Sequence, residues 1–328
     1  MKKFLTKKNL LYLSVAVIFI VLMAISTVYD LKISGSLSGL SQSEDGTYSL
    51  SPNILAVIMG VIGRWTTPVL GAVSFLFVEL NLRRKVTEKT RLILFFVFSV
   101  IAAAFMAYGS EKTIETIAGG KLYAGHWVII VLMIIVLTAL LRFIIENVPK
   151  KTVRKLFGPA LFTAAAVCVL LLSATLIKLV WGRVRLSELV AANSLDGFTK
   201  WYKPNFFSGS KSFPSGHTAN AALLMLIPLW LGNSEKTRRK RTAVYFGAMA
   251  WSVVMGFSRL CCGAHYLTDV TFGFLIGFIV VEITYALYEK TLGTGGKKQP
   301  AINLSTVKKE KKQEIFLTPS NKYTNYST

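Results

Sequence analysis

Long apolar runs, separated by short clusters of lysine and arginine, set the limits on what this chain can fold into. The first run, residues 10–29, reads LLYLSVAVIFIVLMAISTVY. About 20 apolar residues in a helix span the hydrocarbon of a bilayer, where the backbone must satisfy its own hydrogen bonds. Hydrophobic residues make up 53% of the 328 and charged residues only 16%. Ordinary soluble domains carry roughly a quarter charged residues. The ten-residue alternation of a membrane barrel is absent. The sequence therefore predicts an all-α fold, a polytopic transmembrane helical bundle of about eight spans. They fall near residues 10–29, 62–81, 92–108, 127–147, 157–180, 217–232, 243–258 and 268–289. The stretch before the second span, ILAVIMGVIGRW, reads as an interfacial helix, because Arg64 is costly deep in lipid.

The net charge of +22 invites a nucleic-acid partner, but the placement of the charge accounts for it better. Basic residues cluster in alternate connections. They are Lys2, Lys3, Lys7 and Lys8 at the start, Arg83 to Arg91 after the second span, Lys150 to Lys155 after the fourth, and Lys236 to Arg241 after the sixth. The lysine-rich tail follows the eighth. Such alternation fixes orientation in a membrane. It predicts a multi-pass plasma-membrane protein with both termini cytoplasmic and no nucleic-acid partner. The first run is long and lacks a small-x-small cleavage site, so it reads as an uncleaved span. Residues 1–156 are expected to be N-terminal transmembrane helices, 157–290 a catalytic transmembrane core, and 291–328 a disordered basic cytoplasmic tail. Cys168 reads as packing, and Cys261 and Cys262 as interfacial residues. No zinc spacing or disulfide framework is present.

One outward connection breaks the charge rule. Residues 178–217 hold Lys178, Arg183, Arg185, Lys200, Lys203 and Lys211. Cations that orientation does not require point to an anionic substrate. Lys178 and Arg185 lie two helical turns apart, on nearly one face; snorkelling side chains would look the same. Arg183 reads either as a further anion contact or as a surface residue. Trp201, Tyr202, Phe206 and Phe207 in the same connection suit a membrane interface or an ordinary lid. Next, Pro214-Ser215-Gly216-His217 opens a helix, with Ser215 as its cap. Gly216 lets the backbone approach a ligand, and the helix start favours an anion. Finally Ser258-Arg259 closes the seventh span, and His265 and Asp269, four apart, share a face of the eighth. A carboxylate beside an imidazole fixes its tautomer, as a nucleophilic histidine needs, although an ordinary capping pair has the same spacing. Two of the chain's three histidines lie in these segments, all on one predicted side. The third, His126, reads as interfacial.

These segments resemble the three-part signature of the type-2 phosphatidic acid phosphatase family: K-x6-R-P, then P-S-G-H, then S-R-x5-H-x3-D. Here they run Lys178 LVWGRV Arg185, then Pro214 to His217, then Ser258-Arg259 LCCGA His265 YLT Asp269. The resemblance covers about residues 157–289 and departs at Leu186, where the family has proline. It implies a six-helix catalytic core, no metal and no cofactor. It also implies a phosphohistidine on His265, oriented by Asp269, with His217 as the acid and base. Lys178, Arg185, Ser215, Gly216 and Arg259 would hold the phosphoryl group at the outer face. The implied substrate is a lipid phosphate drawn from membrane lipid: phosphatidic acid, phosphatidylglycerol phosphate, diacylglycerol pyrophosphate or undecaprenyl pyrophosphate. A lipid phosphotransferase and a non-catalytic transporter or lipid-binding protein are the rival readings.

Overall fold

A helix in lipid turns its apolar side chains outward and keeps polar ones for its neighbours, the reverse of a soluble bundle. The computed structural model, which describes residues 7–118, 120–206, 208–232 and 235–292, has that polarity. Helix α1 (Lys7–Leu37) leads to a small hairpin of β1 (Ser41–Gln42) and β2 (Tyr48–Ser49). Then come α2 (Ile54–Arg64), α3 (Thr66–Leu82), α4 (Glu88–Ile117), α5 (Ala124–Glu146) and α6 (Lys150–Trp181). Short α7 (Leu186–Ala191), α8 (Gly216–Ala222) and α9 (Ile227–Trp230) precede α10 (Glu235–Cys261) and α11 (Leu267–Leu292). Among the described residues seven helical stretches are long and apolar enough to cross a membrane. This is the surface of a membrane protein of all-α class. On α5, for example, Val128, Leu132, Val136 and Phe143 are exposed, while Arg142 is buried. Its guanidinium meets Glu79 at 3.1 Å and stacks 4.0 Å over the Phe95 ring.

The chain divides into two units, 1–286 and 287–328. Of the second, residues 287–292 are helical, and most of the tail expected over 291–328 lies outside the described residues.

Two expected spans take a different form. The sixth, near 217–232, is a broken stretch: α8, a tight 3-10 turn over Leu223–Leu226, and α9, with Pro228 in the first turn of the last piece. Proline lacks the N–H an unbroken helix needs. The second divides at Trp65 into α2 and α3. Asn53 caps α2 by accepting from the Leu55 N–H at 2.8 Å, and Arg64 at its far end donates to the Lys112 carbonyl and the Thr116 hydroxyl of α4. The arginine that is costly in lipid is thus satisfied by protein.

Helix α1 does not stop at Tyr29 but continues through Asp30 to Leu37. It is tied to α10 and α11 through one carboxylate. Tyr12 and Tyr245 donate to the two oxygens of Glu282, at 2.5 and 2.6 Å. Cys168, expected to pack, is exposed on α6.

Candidate active site

Helix α6 ends because Gly182 takes a left-handed conformation, φ +50°, and its N–H returns to the Lys178 carbonyl at 3.1 Å. Only glycine adopts that conformation without strain. The stop leaves Lys178 in the last turn and throws Arg183 and Arg185 into the connection. Lys178 Nζ donates to the Lys211 carbonyl at 2.9 Å, and its Cε would lie 3.8 Å from a Cβ at Gly216. The lysine therefore sits over the start of α8. There Ser215 accepts from the Thr218 hydroxyl at 2.9 Å and, more loosely, from the Thr218 N–H at 3.5 Å. The expected cap is in place.

Two glycines of α11 bring its start against α8. A Cβ at Gly273 would lie 2.4 Å from the Ser215 carbonyl oxygen, and one at Gly277 would lie 2.6 Å from the Ala222 Cβ. Small residues four apart allow this close approach between helices in lipid. The Ser215 N–H donates to the Asp269 carbonyl at 2.8 Å. The segment bearing His217 and the helix bearing Asp269 are thereby joined backbone to backbone.

Asp269, fully buried, is the centre of a network. Its Oδ1 accepts from Arg183 Nη1 at 2.7 Å, and Oδ2 accepts from the Ser212 hydroxyl at 2.5 Å and the Tyr266 N–H at 2.9 Å. His265 Nδ1 faces the same Oδ2 at 3.6 Å, just beyond hydrogen-bond length. Burial pushes the His265 imidazole down to about 4 against the pull of Asp269, and Lys178 and Arg185 add to the push. It is therefore neutral at ordinary pH, with a lone pair available. His217 stands in the field of Arg259, His265, Arg64 and Lys178, and its Nε2 is buried with no hydrogen-bond partner among the described residues. Arg259 reaches back to Ser258 Oγ at 3.2 Å and to the Ala56 carbonyl of α2. Its guanidinium lies against Gly60, where a Cβ would be 2.2 Å away. Arg185 is half-buried, with Nε 3.9 Å from Glu188 and without a hydrogen-bond partner among the described residues.

Leu186 resolves the departure from the proline pattern. It is the first residue of α7, with Arg185 as the extended cap, ψ 154°, and Glu188 accepting from the Arg185 N–H at 3.1 Å. The first helical position is where proline is best tolerated. Leu186→Pro is expected to fold, with stability changed by no more than about 1–2 kcal/mol, whereas Leu186→Ala empties a fully buried site and costs about 2–5 kcal/mol. Thermal unfolding of the two variants in detergent checks the contrast.

Arg183, which the sequence leaves as either a further anion contact or a surface residue, is 1% exposed. It was misread because its partners come from remote segments. Asp30 was missed because the first apolar run seemed to end before it. Gly60 and Arg64 carry no motif. The Gly273-x-x-x-Gly277 spacing is the sequence signal for the close approach of α11 to α8. Trp201 Nε1 donates to Thr27 of α1 at 3.0 Å, and Phe206 is exposed; Phe207 lies outside the described residues. His126 Nδ1 accepts from the Tyr123 N–H at 3.0 Å, at the start of α5. Among the described residues, no group of three or more His, Cys, Asp or Glu side chains is placed to hold a metal ion.

The fold and these side chains define a polytopic membrane protein with one buried and one half-buried imidazole among lysine and arginine at helix ends. Residues 159–292 match the family profile of the PAP2 superfamily. It is 30% identical over 117 residues to phosphatidylglycerophosphatase B of Bacillus subtilis (strain 168), an overlap of 35% of this chain and 58% of that protein. The chain thus spans somewhat over half the length of that relative. No solved structure matches it.

Proposed function

We propose that the chain is an integral membrane lipid-phosphate phosphatase working through a phosphohistidine. The observation that carries the reading is the backbone bond from Ser215 to Asp269, which ties the helix start bearing His217 to the turn bearing His265. In the reaction, the His265 Nε2 lone pair attacks phosphorus and the bond to the lipid oxygen breaks. His217, taken to its imidazolium form by a proton that arrives with the phosphate anion, gives that oxygen its proton. Water then attacks the phosphohistidine while His217 takes a proton back, releasing phosphate and restoring His265. Lys178, Arg185 and Arg259, with the Ser215 hydroxyl and the Gly216 N–H, hold the phosphoryl oxygens. Phosphoryl transfer needs placement and charge stabilisation above all. Fixed cations supply here what a metal supplies elsewhere, so the reaction is proposed to be metal-free.

In this reading both termini lie in the cytoplasm and the site at the outer face of the plasma membrane, which the alternation of basic connections supports. A lipid phosphate enters from that leaflet with its chains in lipid. Phosphatidylglycerol phosphate is the first substrate to test, given the relative's name; phosphatidic acid, diacylglycerol pyrophosphate and undecaprenyl pyrophosphate complete the panel.

The test is phosphate release by the purified full chain in detergent, with chelator, across 32P-labelled members of that panel. Free phosphate supports the reading. Label passed to another lipid would make the protein a phosphotransferase. No turnover of any member would leave a binding or transport protein and end the proposal. A further variant probes the cation set. Gly60→Ala displaces the mobile end of Arg259, and is expected to lower kcat/KM about 10- to 100-fold with little change in unfolding temperature.

A further inference from the structure

Helix α1 lies wholly outside the segment matched to the family, yet it brings a buried carboxylate to the candidate site. Asp30 is 4% exposed. Its Oδ1 accepts from the Thr268 N–H at 3.0 Å, and its Oδ2 from the Thr268 hydroxyl and from Arg183 Nη2 at 2.8 Å. Arg183 turns Nη1 to Thr268 Oγ1 at 2.6 Å and to Asp269 Oδ1 at 2.7 Å, and Nε to the Thr199 carbonyl at 2.9 Å. Its guanidinium also lies 4.1 Å over the Tyr266 ring and 5.3 Å from that of Phe198. The arginine is held between two carboxylates, one from each side.

We propose that Asp30 is a positioning residue for His265, acting through Arg183 and Asp269, and that α1 is an integral part of the active centre. The inference rests on the reading of His265 as nucleophile. With Asp30 holding Nη2, Arg183 engages Asp269 through Oδ1 alone. That leaves Oδ2 facing His265 Nδ1. The imidazole then carries its proton on Nδ1 and presents the Nε2 lone pair to phosphorus. Without the Asp30 charge, Arg183 has one carboxylate left and closes on both of its oxygens, the geometry a guanidinium prefers. Oδ2 is taken from the imidazole, and the tautomer is no longer fixed. None of the recorded contacts of Asp30 is with a phosphate-holding residue, so turnover changes and substrate affinity does not.

The chain has three histidines, which makes their ring nitrogens separable by 15N NMR of histidine-labelled full-length protein in nanodiscs. His265→Ala assigns the signal. The wild type is expected to show one tautomer for His265, protonated on Nδ1. Asp30→Asn is expected to show a mixture, with kcat down about 10- to 100-fold and KM within about threefold. Thr268→Val removes the hydroxyl shared by Asp30 and Arg183, keeps all three charges, and is expected to move the ring signal the same way by less. This variant serves if Asp30→Asn does not fold. Tyr12→Phe, which loosens α1 at the Glu282 tie, is expected to leave the tautomer unchanged, whereas mere docking of α1 would move both. A wild-type ring signal in Asp30→Asn and Thr268→Val overturns the inference. The signal is read without substrate, so a wild type that releases no phosphate sinks the proposed reaction and leaves the role of Asp30 to be decided by the spectra.

Discussion

His265→Ala is expected to abolish phosphate release from every lipid phosphate the wild type accepts, by at least about 10³-fold in kcat. No other recorded side chain has its combination of position and state. Its ring is 3% exposed, neutral at working pH, and aligned along a carboxylate fixed by three donors. The substitution removes the proposed nucleophile and leaves Asp269 bonded to Arg183, Ser212 and the Tyr266 N–H, so the unfolding temperature is expected to change little. The measurement is phosphate release beside thermal unfolding on the same sample. A rate within tenfold of wild type would refute the assignment of the nucleophile. Replacement of His217 by Ala should be milder for a good leaving group than for a lipid alkoxide, since the role proposed for His217 is to supply a proton rather than a bond.

Arg183→Met is expected to have the largest effect on stability, about 3–5 kcal/mol, because it strands Asp30 and Asp269 as buried carboxylates without their shared cation. Removing one member of a buried ionic group is costly even where the whole group adds little net stability. The double variant Asp30→Asn with Arg183→Met should therefore recover part of the loss. Denaturation of the single and double variants reads this directly. Equal stability of Arg183→Met and wild type would mean that the charges are solvated and the network contributes nothing.

The sequence made some of this legible and hid the rest for physical reasons. Lys178, Arg185, His217, Arg259, His265 and Asp269, the residues of the proposed site, stood out because their helical spacings could bring cations and imidazoles to one anion. The apolar runs gave the class of fold directly, since nothing but a membrane accommodates them. Asp30 was concealed because a charge ordinarily ends an apolar run, and helix α1 passes through it only because Arg183 and Thr268 neutralise it from elsewhere. Arg183 looked like a surface residue for the matching reason: no local pattern announces a partner so far back along the chain. Pro228 was in plain view, and the broken helix around it was a consequence of its missing N–H that an apolar pattern alone conceals.

Asp30 and Arg183 are separated by 153 residues, and this sets an order of events during biosynthesis. The first helix leaves the ribosome carrying an acid whose counter-ion has not yet been made, and an ionised carboxylate does not rest deep in hydrocarbon. Until the connection after α6 emerges, that end of the nascent helix must stay near water, protonated, or sheltered by the insertion machinery. The network is sealed late, when α11 delivers Asp269 to the other side of the waiting guanidinium, so a chain halted before α11 enters the bilayer lacks the assembled Asp30–Arg183–Asp269 network.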